Sequence, residues 1–437
     1  MTVDIPILII SLITFAIIII SYSIKNADFV AISLLCGFIA ATITGLTLGI
    51  GIGTFVNFIS WEAIIIILSM SIITKIAENS NILEYLAIKL FKISNGDRRV
   101  FFYLLCIITT LLAAVITDVV VVLIIGPVVI RLCHFLKIRA GTYLMGMTIC
   151  INIGSIITPF SSGENIIIST QFGLDTLYFI QNYWIFSFLL LILTVVLIDQ
   201  LILKKEPKID SMQKRFVIDL VDSDVIIRNR KVFLFNSIAI LVIIVLFAVL
   251  PLLYLTALIS TMILVLINKA YTKKSLSDLL RDVEWEIIFF FISLYLVIGC
   301  LIEAGFKEIF EAIPFFGVNP ILLSFLILII ISVLSGFVAN TPTALIFIPI
   351  IQTLISDFGF NPLPLIFAFI IGINVGGNFF IQGSAADMMT FKIAQDAGVE
   401  NLNYKRLTKN GAIFAGIHIG ASAVYLIILN LMILAFG

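Results

Sequence analysis

The sequence predicts an all-α polytopic membrane protein: about ten transmembrane helices plus two re-entrant hairpins in an inverted-topology repeat. Three observations carry this reading. Of the 437 residues 61% are hydrophobic and 12% charged, apolar runs recur from Ile5 to Phe436, and polar breaks in two apolar stretches recur 222 positions apart. An average soluble domain is roughly 25% charged, so an ordinary water-soluble enzyme is excluded. The 26 Lys and Arg balance the 26 Asp and Glu to a net charge of +0, which leaves no field to attract nucleic acid. The five cysteines (Cys36, Cys106, Cys133, Cys150, Cys300) show no CxxC spacing and read as small buried hydrophobes, not a disulfide framework or zinc site. Met-Thr-Val-Asp carries no positive charge ahead of the first apolar stretch, so that stretch is expected to be a permanent helix.

A hydrocarbon core about 30 Å thick takes ~20 helical residues. In chain order, spans are expected at 5–22, 29–50 and 61–79. The next two apolar arms, 101–115 and 119–133, are each about 15 residues long and are separated by Thr117-Asp118. Each arm is too short to cross, so the pair is expected to dip in and return as a hairpin. Spans follow at 140–170, with an interruption, and at 182–203. Residues 204–231, rich in alternating Lys, Glu, Asp and Arg, form a linker without a soluble domain. The second half repeats the order, with spans at 232–250, 253–269 and 286–303, a hairpin at 321–356 broken at 340–343, an interrupted span at 363–395 and a last span at 411–435. Non-helical backbone at membrane depth survives only where protein buries it or it lines a cavity.

Basic residues test this layout, because cytoplasmic loops should carry them. All of the 26 Lys and Arg except Lys75 and Lys307 fall on one side. Arg98, Arg139, Lys214 and Arg406 are therefore expected in the cytoplasm, with Lys307 and both termini outside and the plasma membrane as the location. The chain divides into a first repeat at 1–203 with a cytoplasmic-side hairpin, the linker at 204–231, and a second repeat at 232–437 with an outward-side hairpin.

The repeat itself rests on matched residues. Pro127, which follows Thr117-Asp118, corresponds to Pro349, which follows Asn340-Thr341, and Asn152-Ile153-Gly154 corresponds to Asn374-Val375-Gly376, both at an offset of 222. Trp61-Glu62 and Trp285-Glu286 match at 224. Five spans per half is an odd number, so the second half enters from the opposite side, an arrangement that places binding sites at broken helices near the midplane. The breaks run from Gly154-Ser155 to Ser161-Ser162-Gly163-Glu164-Asn165, and from Gly376-Gly377-Asn378 to Gln382-Gly383-Ser384. Glycine weakens these helices, and the Ser, Asn and Gln side chains can satisfy freed backbone groups or bind a ligand.

At these residues the chain resembles the ion transporter superfamily with its citrate transporter-like domain, in the branch of arsenite permeases, NhaD-type sodium/proton antiporters and P proteins. The likeness is carried by Trp61-Glu62, Ile76-Ala77-Glu78-Asn79-Ser80, Pro127 to Cys133, Asn152-Ile153-Gly154, Val283-Glu284-Trp285, Glu303-Ala304-Gly305, Asn340-Thr341 with Pro349, and Gly376 through Ala386. Relatives in the di- and tricarboxylate branch carry Ser-Asn-Thr at both tips, and only the second tip here approaches it. The resemblance implies an elevator-like shift of the hairpin-bearing bundle against a scaffold.

The substrate- or ion-binding candidates are Thr117, Asp118, Asn152, Gly154, Ser155, Ser161, Ser162, Glu164, Asn165, Asn340, Thr341, Thr343, Asn374, Gly376, Gly377, Asn378, Gln382, Ser384 and Asp387. Acids at membrane depth are costly and mark function, so Asp118, Glu164 and Asp387 are the proton-coupling candidates. Asp118 and Asn340 also read as helix caps. A sodium site is expected at Asp118, Asn340 and Thr341, with no other metal. Glu62, Glu78, Glu286 and Glu303 read as interfacial, and His134, His418, Cys106 and Cys150 as structural. No cofactor is expected beyond Na+ or H+ as coupling ion. The partners are a small inorganic or organic ion, the lipid bilayer and a second copy in a homodimer. Full carboxylate charges outweigh half-charge helix ends, so a cation/proton antiporter is the leading expectation. An arsenite, metalloid or carboxylate permease and a passive cation channel are the alternatives, and the absence of HExxH or GxSxG argues against an enzyme.

Overall fold

The computed structural model describes residues 3–24, 27–206, 227, 229–250, 252–312 and 317–436. Most of the linker, with Lys214, lies outside the described residues. Every regular element among the described residues is helical. The first half contains α1 (Ile5–Ser23), α2 (Phe29–Leu48), α3 (Ile52–Phe58), α4 (Trp61–Asn79), α5 (Ile82–Ile93), α6 (Arg98–Ala113), α7 (Asp118–Phe135), α8 (Ala140–Gly154), α9 (Gly163–Phe172) and α10 (Thr176–Leu201). The second contains α11 (Arg230–Val249), α12 (Leu253–Thr272), α13 (Leu276–Arg281), α14 (Trp285–Glu303), α15 (Phe306–Glu311), α16 (Pro320–Val338), α17 (Asn340–Ser356), α18 (Pro362–Gly376), α19 (Ala385–Asp396) and α20 (Tyr404–Phe436).

Caps punctuate this apolar chain. Asp4, Asp28, Ser60 and Asp175 each accept a backbone N–H three residues on, and Asn229, Asn319 and Asn361 begin α11, α16 and α18 in the same manner. Pro320 and Pro362 occupy the first helical position, where no N–H is needed.

Among the described residues ten helices are long and apolar enough to cross a membrane, and they differ in part from the ten expected spans. Segment 61–79 qualifies only together with α3, across a 55° bend, and α8, with 15 residues, falls short. In their place α7, with 18 residues, and α16, with 19, qualify. The hairpin arms are longer than predicted because Asp118 and Asn340 do not form a gap. Each begins the returning helix, which then runs on through residues such as Arg131 and His134. The short helices α3, α5, α13 and α15 were not predicted, and α10 and α20 start six and seven residues earlier than expected.

Packing separates two bundles: α1, α2, α4, α11, α12 and α14 form one, and α6 to α10 with α16 to α20 form the other. The two halves of the chain exchange places within each bundle. Helix α2 packs on α14 as α12 packs on α4, and α7 packs on α19 as α17 packs on α9. Glycines set the closest approach at matched positions: a Cβ on Gly154 would overlap the Thr110 carbonyl oxygen of α6, and one on Gly376 the Ser332 carbonyl oxygen of α16. Helices α5 and α15 bridge the bundles, packing on α4, α6 and α7 and on α14 and α17 respectively.

Three cations predicted to share one side do meet. Arg139 and Arg406 lie 4.0 and 3.7 Å from the Glu206 carboxylate, and Arg98 donates to the Glu206 carbonyl. Lys307 is elsewhere, 3.4 Å from Glu311 and 3.0 Å from Asp357.

Candidate functional site

A cavity of about 610 Å³ lies between the two bundles. One bundle supplies Tyr22 and Phe29 from the first helices, one face of α4 from Ile67 to Glu78, and Glu284 to Phe291 at the start of α14. The other supplies the beginnings of four helices: Asp118 of α7, Gly163 and Glu164 of α9, Asn340 and Thr341 of α17, and Ala385 of α19. Four helix N-termini therefore converge on one space, each a source of free N–H groups and of a partial positive charge.

The first tip turns through Thr117, whose backbone is relaxed at φ −55 and ψ 136. Asp118 is the first residue of α7, and its carboxylate accepts the Val119 N–H at 2.8 Å while facing the cavity. Asp118 thus lines the cavity from inside the first turn and is not the cap of α7, contrary to expectation; the N-cap is Thr117, which makes no side-chain capping bond. The second tip turns through Ala339 at φ +79 and ψ 157, a conformation that L residues rarely adopt. Asn340 does not cap α17, contrary to expectation. Its carboxamide accepts from the Ser335 hydroxyl at 2.5 Å and donates to Glu164 Oε1 at 2.9 Å. Glu164, in the first turn of α9, is buried, and Ser162 caps that helix through the Asn165 N–H.

Behind the cavity the two breaks are zipped together by asparagines. Asn165 donates to the Ser155 and Thr158 carbonyls and to Ser161, and accepts from Asn374 at 3.0 Å. The equivalent contact on the other side joins Asn152 to Asp387, 3.5 Å away, and Asp387 stands 222 positions after Asn165. Asn152 also donates to Asn378 at 2.8 Å and accepts from Ser384 at 2.9 Å. Thr148 donates to the buried Asp387 carboxylate at 2.6 Å.

Of the predicted residues, Thr117, Asp118, Glu164, Asn340 and Thr341 line the cavity. Asn152, Ser155, Ser161, Ser162, Asn165, Asn374, Asn378, Ser384 and Asp387 build the buried network instead. Gly154 and Gly376 allow helix contact, and Gly377 makes room for the Asn340 carboxamide, 2.9 Å from where its Cβ would stand. Thr343 donates to the Ala339 carbonyl at 2.8 Å, and Gln382 accepts from the Tyr404 hydroxyl at 3.2 Å. Neither borders the cavity. The expected sodium ligands Asp118, Asn340 and Thr341 share the cavity, but the Asn340 oxygen is already taken by Ser335.

Several lining residues escaped prediction. Glu78, expected at the interface, sits on the cavity rim and pairs with Lys75 at 2.9 Å. Glu284 joins them there, and burial pushes its carboxyl above the usual range, with Lys75 offsetting part of the effect. Thr148 lies one helical turn before Asn152, a spacing that puts both on one face and was the available signal. His418 is buried against the Thr194 hydroxyl at 2.7 Å, outside the cavity, and His134 is exposed. All five cysteines are free and buried.

The sequence model described as citrate transporter matches residues 7–372. An uncharacterized transporter of Mycobacterium tuberculosis is 24% identical over 377 residues, 84% of this chain and 86% of the relative. A 46 kDa membrane protein of Mycobacterium leprae is 26% identical over 379 residues, with the same coverage. Among solved structures, the YdaH transporter of Alcanivorax borkumensis, described as having an unusual topology, aligns with a TM-score of 0.61 at 11% identity over 86% of each chain. At that identity the likeness concerns the fold alone.

Proposed function

The chain belongs to the citrate transporter family and is an integral membrane protein, and from that premise we propose that it is a proton-coupled secondary transporter exchanging a cation for protons. One observation carries the choice of a cation. Three of the four converging helix ends hold an acid of their own in the first turn: Asp118, Glu164 and Asp387. Each end contributes roughly half a positive charge, so three full negative charges exceed four half-charges. Asp118 and Glu164, which line the same cavity, carry the protons. Asp387 is the third coupling candidate, held behind the cavity by Thr148 and Asn152.

In this reading the two halves are inverted, the tips at 117–118 and 339–341 are re-entrant, both termini lie outside, and the bundle with α7, α9, α17 and α19 slides against the other. A second reading, a carboxylate or metalloid permease, is favoured by the α17 end, where Asn340 and Thr341 are neutral and the helix has no acid in its own first turn. Counterflow in proteoliposomes under an imposed pH gradient tests the proposal. Asp118→Asn and Glu164→Gln should each cut gradient-driven cation flux at least tenfold while leaving yield and melting temperature near wild type. Both variants transporting with unaltered pH dependence would remove the proton role, and uncoupled current would make the protein a channel.

A further inference from the structure

The cavity between the bundles is far larger than a metal cation requires. Its volume of about 610 Å³ has room for roughly twenty waters at ~30 Å³ each. It falls in the ~300–1,000 Å³ range of small-molecule sites. One wall is aromatic, formed by Tyr22, Phe29, Phe290 and Phe291. Tyr22 stacks on Phe290 at 5.2 Å between ring centroids, and Phe29 meets them edge-on at 5.4 and 5.6 Å. Phe291 reaches across to the start of α9, where its Cζ would stand 2.8 Å from a Cβ on Gly163. Tyr22, Phe29, Phe290 and Phe291 line the same cavity as Asp118 and Glu164, so the rings and the acids bound one space.

The charges on the lining are lopsided. Lys75 is its one basic residue and is already paired with Glu78, whereas Asp118, Glu164, Asp282 and Glu284 add negative charge. A small anion would meet repulsion there. A bare sodium ion would find oxygens at the tips but has no apolar body to set against the wall. A cation with an apolar body uses both surfaces, because aromatic faces attract positive charge within about 6 Å of the ring centre.

We propose that the cargo of this site is an organic cation with an aromatic or alkyl body, its charged end at Asp118 and Glu164 and its body against the Tyr22, Phe29, Phe290 and Phe291 wall. This rests on the cation-for-proton reading and names the class of cation. The acids serve in turn as proton carriers and counter-ions, and the aromatic wall selects the cargo.

The test uses the full-length protein in proteoliposomes with an acidic interior, comparing uptake of radiolabelled 1-methyl-4-phenylpyridinium and of ²²Na⁺ against protein-free vesicles. The pyridinium should accumulate at least tenfold over the protein-free control and exceed sodium. Phe290→Leu and Phe291→Leu, which keep apolar volume but remove the ring, should raise its KM about fivefold and leave the pH dependence of flux unchanged. Elution as a monodisperse peak confirms that each variant is folded. Sodium exchanged for protons without pyridinium uptake would overturn the proposal while the cation/proton reading stands. Pyridinium uptake with the same KM in both leucine variants would overturn the role of the wall. Transport of neither cation would bring down both.

Discussion

The two turns that lead into α7 and α17 stand at matched positions and differ in backbone and in what they hold. At the first, a relaxed Thr117 leads into α7 and Asp118 points its charge at the cavity. At the second, Ala339 is forced to φ +79 and Asn340 turns its amide to Glu164 of the opposite repeat. The position equivalent to Glu164, 222 residues later, is the buried Ala386. At these matched positions each junction therefore has one acid, placed on the tip in one and on the break in the other, and Asp387 adds a second acid to the junction of α7 with α19. The asparagine zippers differ likewise, Asn165 with Asn374 being neutral and Asp387 with Asn152 charged. The matched helices keep the same contacts in both halves, whereas the polar side chains differ at the positions that face the cavity.

The strongest test of the shared backbone is a pair of matched substitutions. Gly154→Ala and Gly376→Ala each drive a methyl into a carbonyl oxygen of the neighbouring helix, on rigid backbone. Each should destabilise by about 3 kcal/mol or more and sharply reduce folded yield. If thermal denaturation finds one tolerated and the other lethal, the halves are not structurally equivalent.

Exchanging the tips, Asp118→Asn with Asn340→Asp, keeps composition and net charge but crowds two acids into the Glu164 junction. Proton-driven flux should stay at least tenfold below wild type, and recovery would mean that the tips are interchangeable. Strain separates the tips next. Ala339→Gly should stabilise by about 1–2 kcal/mol, because glycine accepts the left-handed turn. Thr117→Gly should instead destabilise by about 0.5–1 kcal/mol. Equal shifts in melting temperature for the two would show that the backbone difference has no energetic weight. The smallest effect is expected from Asp387→Asn, which makes the charged zipper resemble the neutral one. The amide still accepts from Thr148, so stability should change by less than about 1 kcal/mol. A loss several times larger would make the Asp387 carboxylate a structural keystone.

Much of this was legible in the residues. Hydrophobic runs, Asp and Asn caps and prolines at helix starts mark where the chain enters and leaves a helix, and these are local signals. The offset of 222 aligns both tips and both breaks, and the residues around them suffice to point to the ion transporter superfamily, which the citrate transporter match bears out. Local pattern misjudged the hairpin arms, because a single Asp or Asn at a tip was read as a gap when it starts the next helix.

The sequence by itself determined an all-helical membrane protein with about ten apolar spans and with acids at the starts of its broken helices. Only the tertiary structure decided which polar residues face the cavity and which lock the bundles together. Asn152, Asn165 and Asn374 sit in breaks as polar as the tips, yet they are consumed by partners, among them Asn378 and Asp387, that lie 209 to 235 positions away. A buried amide must find a hydrogen-bond partner, and that partner is chosen by how the two halves dock. The periodicity of a helix fixes the face a residue occupies but does not specify what stands opposite it. The aromatic wall has the same origin, since Tyr22, Phe29 and Phe290 are apolar residues in ordinary spans until the bundles bring them beside Asp118 and Glu164.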